Sequence, residues 1–212
     1  MNAILLVAGW AVVGAAGGWL VRWGSVRLAR LEELEPDSKA WQVYGPPVLG
    51  ALVFAVYAAM ITSFPVLALR SVFVLVLVQV IFFDLEHRLI LDRVMFPSMA
   101  VALVVSLFGN PWWAGLATGF GAGLTFLLLA LAGAAIFKTE ALGFGDVKLA
   151  MFMGLLLGPL PTVQALFYGV VLAGIAAVAV IIWQRSMKGS IAYGPYLAAG
   201  SLIMLIQLPV GR

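Results

Sequence analysis

The sequence predicts an all-α membrane protein, a polytopic bundle of about eight transmembrane helices with both termini on the extracytoplasmic side. Three observations predict it. The chain of 212 residues is 64% hydrophobic. Only 10% of its residues are charged, against about 25% in a soluble domain. Apolar runs near membrane-crossing length recur from end to end. No soluble fold hides so much apolar surface, so the solvent is lipid. We read one integral membrane domain over 1–212, with a short cytoplasmic loop at 22–45 and a core at 46–208.

A helix needs about 20 apolar residues to cross the hydrocarbon core. Such runs cover 3–21, 46–63, 67–83, 90–108, 112–137, 146–157, 162–183 and 191–208. The first has no basic residues ahead of it, and Arg22, Arg27 and Arg30 follow it. It therefore reads as an uncleaved membrane helix, not a signal peptide. The loop at 22–45 carries mixed charge and reads as a short interfacial helix ending near Pro36. Turn chemistry breaks the later runs, as in "GNPWW" at 109–113 and "GPLP" at 158–161. The sixth run is short for a full span: it either extends back over 142–145 or sits where the membrane is thinned.

Charge sets the orientation. Arg22, Arg27, Arg30, Lys39, Arg88, Arg93, Lys138, Lys148, Arg185 and Lys188 fall on one side, which holds 10 of the 12 basic residues. Arg70 and Arg212 fall on the other. The positive-inside rule makes the first side cytoplasmic. Trp112 and Trp113 suit the outer aromatic belt, and Trp19, Trp23, Trp41 and Trp183 the inner one. The net charge of +3 and the pI near 9.5 follow from these loops and point to no nucleic-acid partner. The chain has no cysteine, which excludes disulfides, thiol catalysis and Cys-ligated zinc. One histidine, His87, makes no metal site by itself.

Glycines at four-residue spacing, Gly14/Gly18, Gly115/Gly119/Gly123 and Gly154/Gly158, predict closely packed helix pairs, with no chemistry of their own. The loop acids Glu32, Glu33, Glu35, Asp37 and Glu140 read as solvated.

Two acids differ. Asp84 ends the run "VFVLVLVQVIFFD", and Asp146 begins another in "GFGDVKLAMFMGLLLG". A carboxylate at a membrane boundary is costly unless it is hydrated, paired or useful. Asp146 could act as an N-cap. In the predicted topology, however, one helix runs inward to Asp84 and the other runs outward from Asp146, so both acids lie at similar depth near the cytoplasmic surface. Two close carboxylates share one proton, because they cannot both ionise. The ionised one then activates water while the protonated one donates to a carbonyl oxygen, which cleaves an amide without metal, serine or cysteine. Lys148, two residues from Asp146, points elsewhere around the helix. Gly143 and Gly145 admit a substrate backbone close to Asp146 and permit the turn into the helix.

"GFGDVKLAMFMGLLLG" resembles the Gly-x-Gly-Asp motif of the type IV prepilin peptidases, a family of membrane aspartyl proteases. "FFDLEHRLILDRVMFPS" resembles the family's other signature, through Asp84, Leu85, Glu86, Asp92 and Pro97. "IAYGPYLAAG" resembles the segment that opens the family's last helix. The resemblance spans about residues 46–205. It implies Asp84 and Asp146 as the catalytic pair, with Gly143, Gly145, Glu86, Asp92 and Lys148 as motif positions that are structural or orient substrate. It also implies prepilin or pseudopilin substrates of the kind found in type IV pili and type II secretion. These are cleaved beside the lipids of the cytoplasmic (inner) membrane, with the active site near the cytoplasmic face and with no cofactor.

The chain departs from that pattern in two places. Longer members carry two Cys-x-x-Cys pairs in the first cytoplasmic loop, which ligate zinc and accompany N-methylation of the cleaved pilin. This chain lacks them, so neither a metal site nor methyl transfer is expected. The family's usual proline before the second acid is here Leu91. Two other readings stand beside this one. A Gly-x-Gly-Asp intramembrane protease of the presenilin or signal-peptide-peptidase kind would need a Tyr-Asp motif and a Pro-Ala-Leu motif, and this chain has Phe83-Asp84 and no Pro-Ala-Leu. A non-enzymatic transporter or assembly factor would need its acids mid-membrane, where neither lies.

Overall fold

Uninterrupted runs of Leu, Val, Ala and Phe between Gly/Pro breaks fold as helices, because in lipid every backbone polar group must be satisfied within its own segment. The computed structural model describes residues 3–36, 38–137, 142–184 and 192–208. The loop charges Asp37, Lys138, Glu140, Arg185, Lys188 and Arg212 lie outside the described residues, as does the Trp183 side chain. Eight helices are described: α1 (Ala3–Leu31), α2 (Ala40–Met60), α3 (Phe64–His87), α4 (Asp92–Ser106), α5 (Ala114–Phe137), α6 (Phe144–Leu157), α7 (Pro159–Gln184) and α8 (Gly194–Gln207). The described residues contain no strand. By length and composition, five helices can cross a membrane: α1, α2, α3, α5 and α7. The other three have 14 or 15 residues, or about 21–23 Å of axis at 1.5 Å per residue. The fourth and eighth runs are thus shorter than the sequence predicts, whereas the sixth, read as short, extends back to Phe144.

The helices fall into two compact units, one over Met1–Arg88 and one over Leu89–Leu208. In the first, α1 packs along α2, and both pack against α3. The predicted break after residue 21 is absent, and α1 continues to Leu31. Nothing in "VRWGSVRLARL" stops a helix except Gly24, and Leu, Ala and Arg favour one. The change from apolar to charged residues does not mark the helix end. The separate interfacial helix is therefore the last turns of α1, and the described non-helical residues between α1 and α2 are 32–36 and 38–39. Glu32, Glu33 and Glu35 are exposed there, as expected. Helix α2 starts ahead of the predicted position and carries Pro46 and Pro47 inside it.

Gly14 and Gly18 explain the closeness of α1 to α2. A Cβ on Gly14 would collide with the Gly50 carbonyl and with Phe54, and one on Gly18 with the backbone of Pro46 and Pro47. Gly17 does the same toward α3, where its Cβ would stand 2.8 Å from a Leu75 methyl. Trp10 Nε1 donates to Ser71 Oγ at 3.0 Å. Contacts 10/71, 17/75 and 22/86 advance together, so α1 and α3 run parallel.

In the second unit α6 is the hub, touching α4, α5, α7 and α8. Leu149, Ala150, Phe152, Met153, Gly154, Leu155 and Leu157 are all buried. A helix apolar on every side belongs in a core, and here four helices of its own unit surround this short one. The glycine spacing behaves as predicted on α5: Gly115 and Gly119 abut Leu155, and Gly123 abuts Met151. A Cβ on Gly154 would stand 2.6 Å from Gly119 Cα. Gly158 differs from the prediction. It caps α6 at φ 75° with open space around it, so it serves the turn and not the packing. Gly200 against the Ala165 carbonyl closes α7 on α8. Trp19, Trp23, Trp41, Trp112 and Trp113 lie exposed on the protein surface, where aromatic belts would need them.

Candidate active site

Each signature acid lies in the terminal turn of a helix. Asp84 is in the last turn of α3, and its carbonyl accepts the N–H of Arg88 at 2.8 Å. Arg88 caps that helix in the left-handed region, at φ 54° and ψ 40°. Asp84 is buried, at 6% exposure. Glu86, in the same turn, accepts from Arg22 Nη1 at 2.9 Å through Oε2. Its Oε1 lies 3.4 Å from His87 Nε2. The Arg22 and Glu86 side chains are only 10% and 4% exposed. His87 also packs against the Phe83 ring, with centroids 4.7 Å apart.

Arg22 is therefore not the solvated loop base that sequence reasoning made it, but one half of a buried ion pair. A signal for the helix continuing to Arg22 exists, since Gly14, Gly18 and Arg22 recur every four residues, although the glycines themselves face α2 and not Glu86. Reading a loop at 22 hid that continuity.

The second acid belongs to the second unit. Asp146 lies in the first turn of α6 and is half-buried. It is not the N-cap: that position is Gly143, whose carbonyl accepts the Asp146 N–H at 3.1 Å. Asp146 thus sits at the third helical position, where the positive end of the helix dipole favours a carboxylate. Gly143 is exposed, and a Cβ placed on it would stand 3.7 Å from Asp146 Oδ2. The surface beside that carboxylate is therefore kept clear of a side chain. Gly145 has a packing reason of its own, since its Cβ would stand 2.9 Å from Ile90 Cβ. Ile90 is a buried residue that the sequence did not single out.

Lys148 forms an ion pair with Asp92, the first residue of α4, and lies over the Phe96 ring at 5.2 Å. The lysine therefore has an identifiable partner on α4. Leu91 stands at the N-cap of α4 with φ −71°. Proline would hold that same angle, so its replacement leaves the entry into α4 unchanged, and the Leu91 side chain is buried. Gly194 and Pro195 begin α8 in its first turn, where a proline fits without loss of a hydrogen bond.

Among the described residues, no three His, Cys, Asp or Glu side chains gather closely enough to hold a metal ion. Asp84 and Asp146 come from different units, each presented at a helix end by a local device: the Arg88 cap for one and the Gly143 entry for the other.

Comparison with known proteins identifies the stretch that carries these acids. Residues 71–178, about half of the chain, match the model of the type IV leader peptidase family. The chain is also similar to the prepilin leader peptidase/N-methyltransferase of Bacillus subtilis (strain 168), with 31% identity over 136 residues. That match covers 62% of this chain and 52% of the relative, so the chain spans about half the length of the curated relative it matches. No solved structure matches it significantly. The matched stretch takes in the last turn of α3, all of α4 and the whole of "GFGDVK", and on that ground the chain belongs to the type IV leader peptidase family.

Proposed function

We propose that this multi-pass membrane protein is an aspartyl endopeptidase that removes the short basic leader from prepilins or pseudopilins. It acts at the cytoplasmic face of the cell's inner membrane, with Asp84 and Asp146 as the catalytic pair. The observation that carries the reading is the pair of terminal-turn aspartates, each inside a signature block, in a chain of the type IV leader peptidase family. In this reading the eight helices form a single membrane domain in contact with lipid, with both termini outside and the peptidase core at 46–208.

The chemistry follows from two carboxyl groups sharing one proton. The ionised member takes a proton from water, and the resulting hydroxide adds to the scissile carbonyl carbon. The protonated member donates to the carbonyl oxygen. Collapse of the tetrahedral intermediate then breaks the C–N bond, and the amine leaves with a proton from the dyad. The products are a leader carboxylate and a pilin with a free N-terminal amine. The pair titrates as a unit. Glu86, Asp92, Lys148, Gly143 and Gly145 hold or clear the site without taking part in proton transfer. The leader sits on the cytoplasmic side, with its apolar helix left in the bilayer.

Hydrolysis is the only reaction proposed. The segment between α1 and α2 is short and carries exposed acids, which suits a solvated connection better than a methyl-donor site. Incubating the purified protein with a prepilin and weighing the products tests the reading: cleavage after the leader supports it, and an intact prepilin refutes it.

A further inference from the structure

The ion pair between Arg22 and Glu86 has no part in the chemistry just described, and Arg22 lies outside the stretch matched by the family model. Burying two charges is expensive, and the cost is recovered only with good geometry and further hydrogen bonds. Glu86 meets that condition: one oxygen accepts from Arg22 and the other lies against His87. The pair also sits in a particular place. It joins α1 to the last turn of α3, the turn that holds Asp84.

A helix end is the part of a helix that opens first, since its last carbonyls lack partners within the helix. In α3 the Arg88 cap satisfies the Asp84 carbonyl, but a cap restrains only the backbone. Asp84 and Glu86 are two positions apart, so they project about 200° apart around the axis. A tether on Glu86 therefore fixes the rotation of the turn, and with it the direction of Asp84. Upstream, the α1–α3 register is already set by Trp10 on Ser71 and Gly17 on Leu75. Arg22 extends that register to the end of α3, and α1 presents it there by remaining helical past residue 21.

We propose that Arg22 is a positioning residue for Asp84: paired with Glu86, it locks the last turn of α3 and aims the carboxyl. The inference rests on the catalytic role proposed for Asp84. A carboxyl displaced by about 1 Å costs on the order of 10²-fold in rate, so a loosened turn should lower kcat more than it raises KM.

The test uses the full-length protein in nanodiscs and a synthetic prepilin with a basic leader, a glycine at the cleavage point and an apolar helix. R22Q should lower kcat by about 10–100-fold with KM within about twofold. R22K, which keeps the charge but not the planar fork, should recover part of the loss. The exchanged pair R22E/E86R should exceed either of its single variants by about tenfold, as coupled residues do. Hydrogen exchange in R22Q should rise over residues 83–88 and stay unchanged where Gly14 and Gly18 meet α2. If R22Q keeps kcat within about twofold of the parent, or exchange rises evenly through α1, α2 and α3, Arg22 is a general structural contact and the proposal is wrong. A parent protein that cleaves no prepilin would refute the function instead, and the exchange pattern would still decide whether Arg22 holds that turn.

Discussion

Lys148 in α6 is paired with Asp92 at the start of α4, so the helix whose first turn holds Asp146 is tied near its entry to the helix that follows the first signature acid. The tie is partly open to solvent, with side-chain exposures of 28% for Lys148 and 54% for Asp92. Exposed pairs contribute about 0–1 kcal/mol. Asp92→Asn and Lys148→Met should therefore leave the melting temperature within a few degrees and slow prepilin cleavage only about 2–10-fold, with the double variant no worse than the poorer single one. Initial rates of all three variants check this. A loss in Asp92→Asn as deep as in Asp84→Asn would mean that Asp92 belongs to the chemistry.

Gly154 faces the backbone of α5, 2.6 Å from Gly119 Cα and from the Thr118 carbonyl to an added Cβ. Neither atom is the end of a flexible side chain, so the two helices must part. Gly154→Ala should cost about 1–3 kcal/mol, as other overpacking changes do. Gly121 and Gly174 have nothing within 4 Å of an added Cβ. Alanine there should be neutral or mildly stabilising through helix propensity. Thermal unfolding of the three variants in detergent separates these cases.

Chelators should leave cleavage unchanged, since the chain has no cysteine and one histidine. Activity lost on treatment with EDTA and restored by a divalent metal would require a metal in the reaction.

The processed pilin should carry an unmethylated N-terminus when the purified enzyme is supplied with a methyl donor. A gain of about 14 daltons at the new terminal residue, the mass of one methylation, would contradict this. The Bacillus subtilis relative is named as an N-methyltransferase as well as a peptidase, and this chain spans 52% of it. The product mass therefore decides whether the shorter chain shares both activities.

The helical class was legible because composition alone forces it: 64% hydrophobic residues leave no other solvent than lipid and few folds other than helices. The close approaches were legible too, because Gly14/Gly18 and Gly115/Gly119/Gly123 mark helix faces whose Cβ positions are taken by a neighbour's atoms. Helix ends were less so. Hydropathy falls at Arg22, but helical hydrogen bonding does not require apolar side chains, and α1 runs on to Leu31. That misreading made Arg22 a loop charge and hid its pairing with Glu86. Local sequence likewise made Asp146 a possible cap, whereas Gly143 begins the turn and places the acid at its third position. The Lys148–Asp92 pair joins residues 56 apart and could come only from packing.

The central claim, that Asp84 and Asp146 act as one catalytic pair, is tested most directly by cleavage of a prepilin with Asp84→Asn, Asp146→Asn and the double variant, each confirmed to be folded and membrane-inserted. The account predicts a fall of about 10²–10⁴-fold in kcat for each single variant, with the double variant no slower than either, because one acid without the other performs neither half of the proton transfer. Near-parental cleavage by either single variant would contradict it.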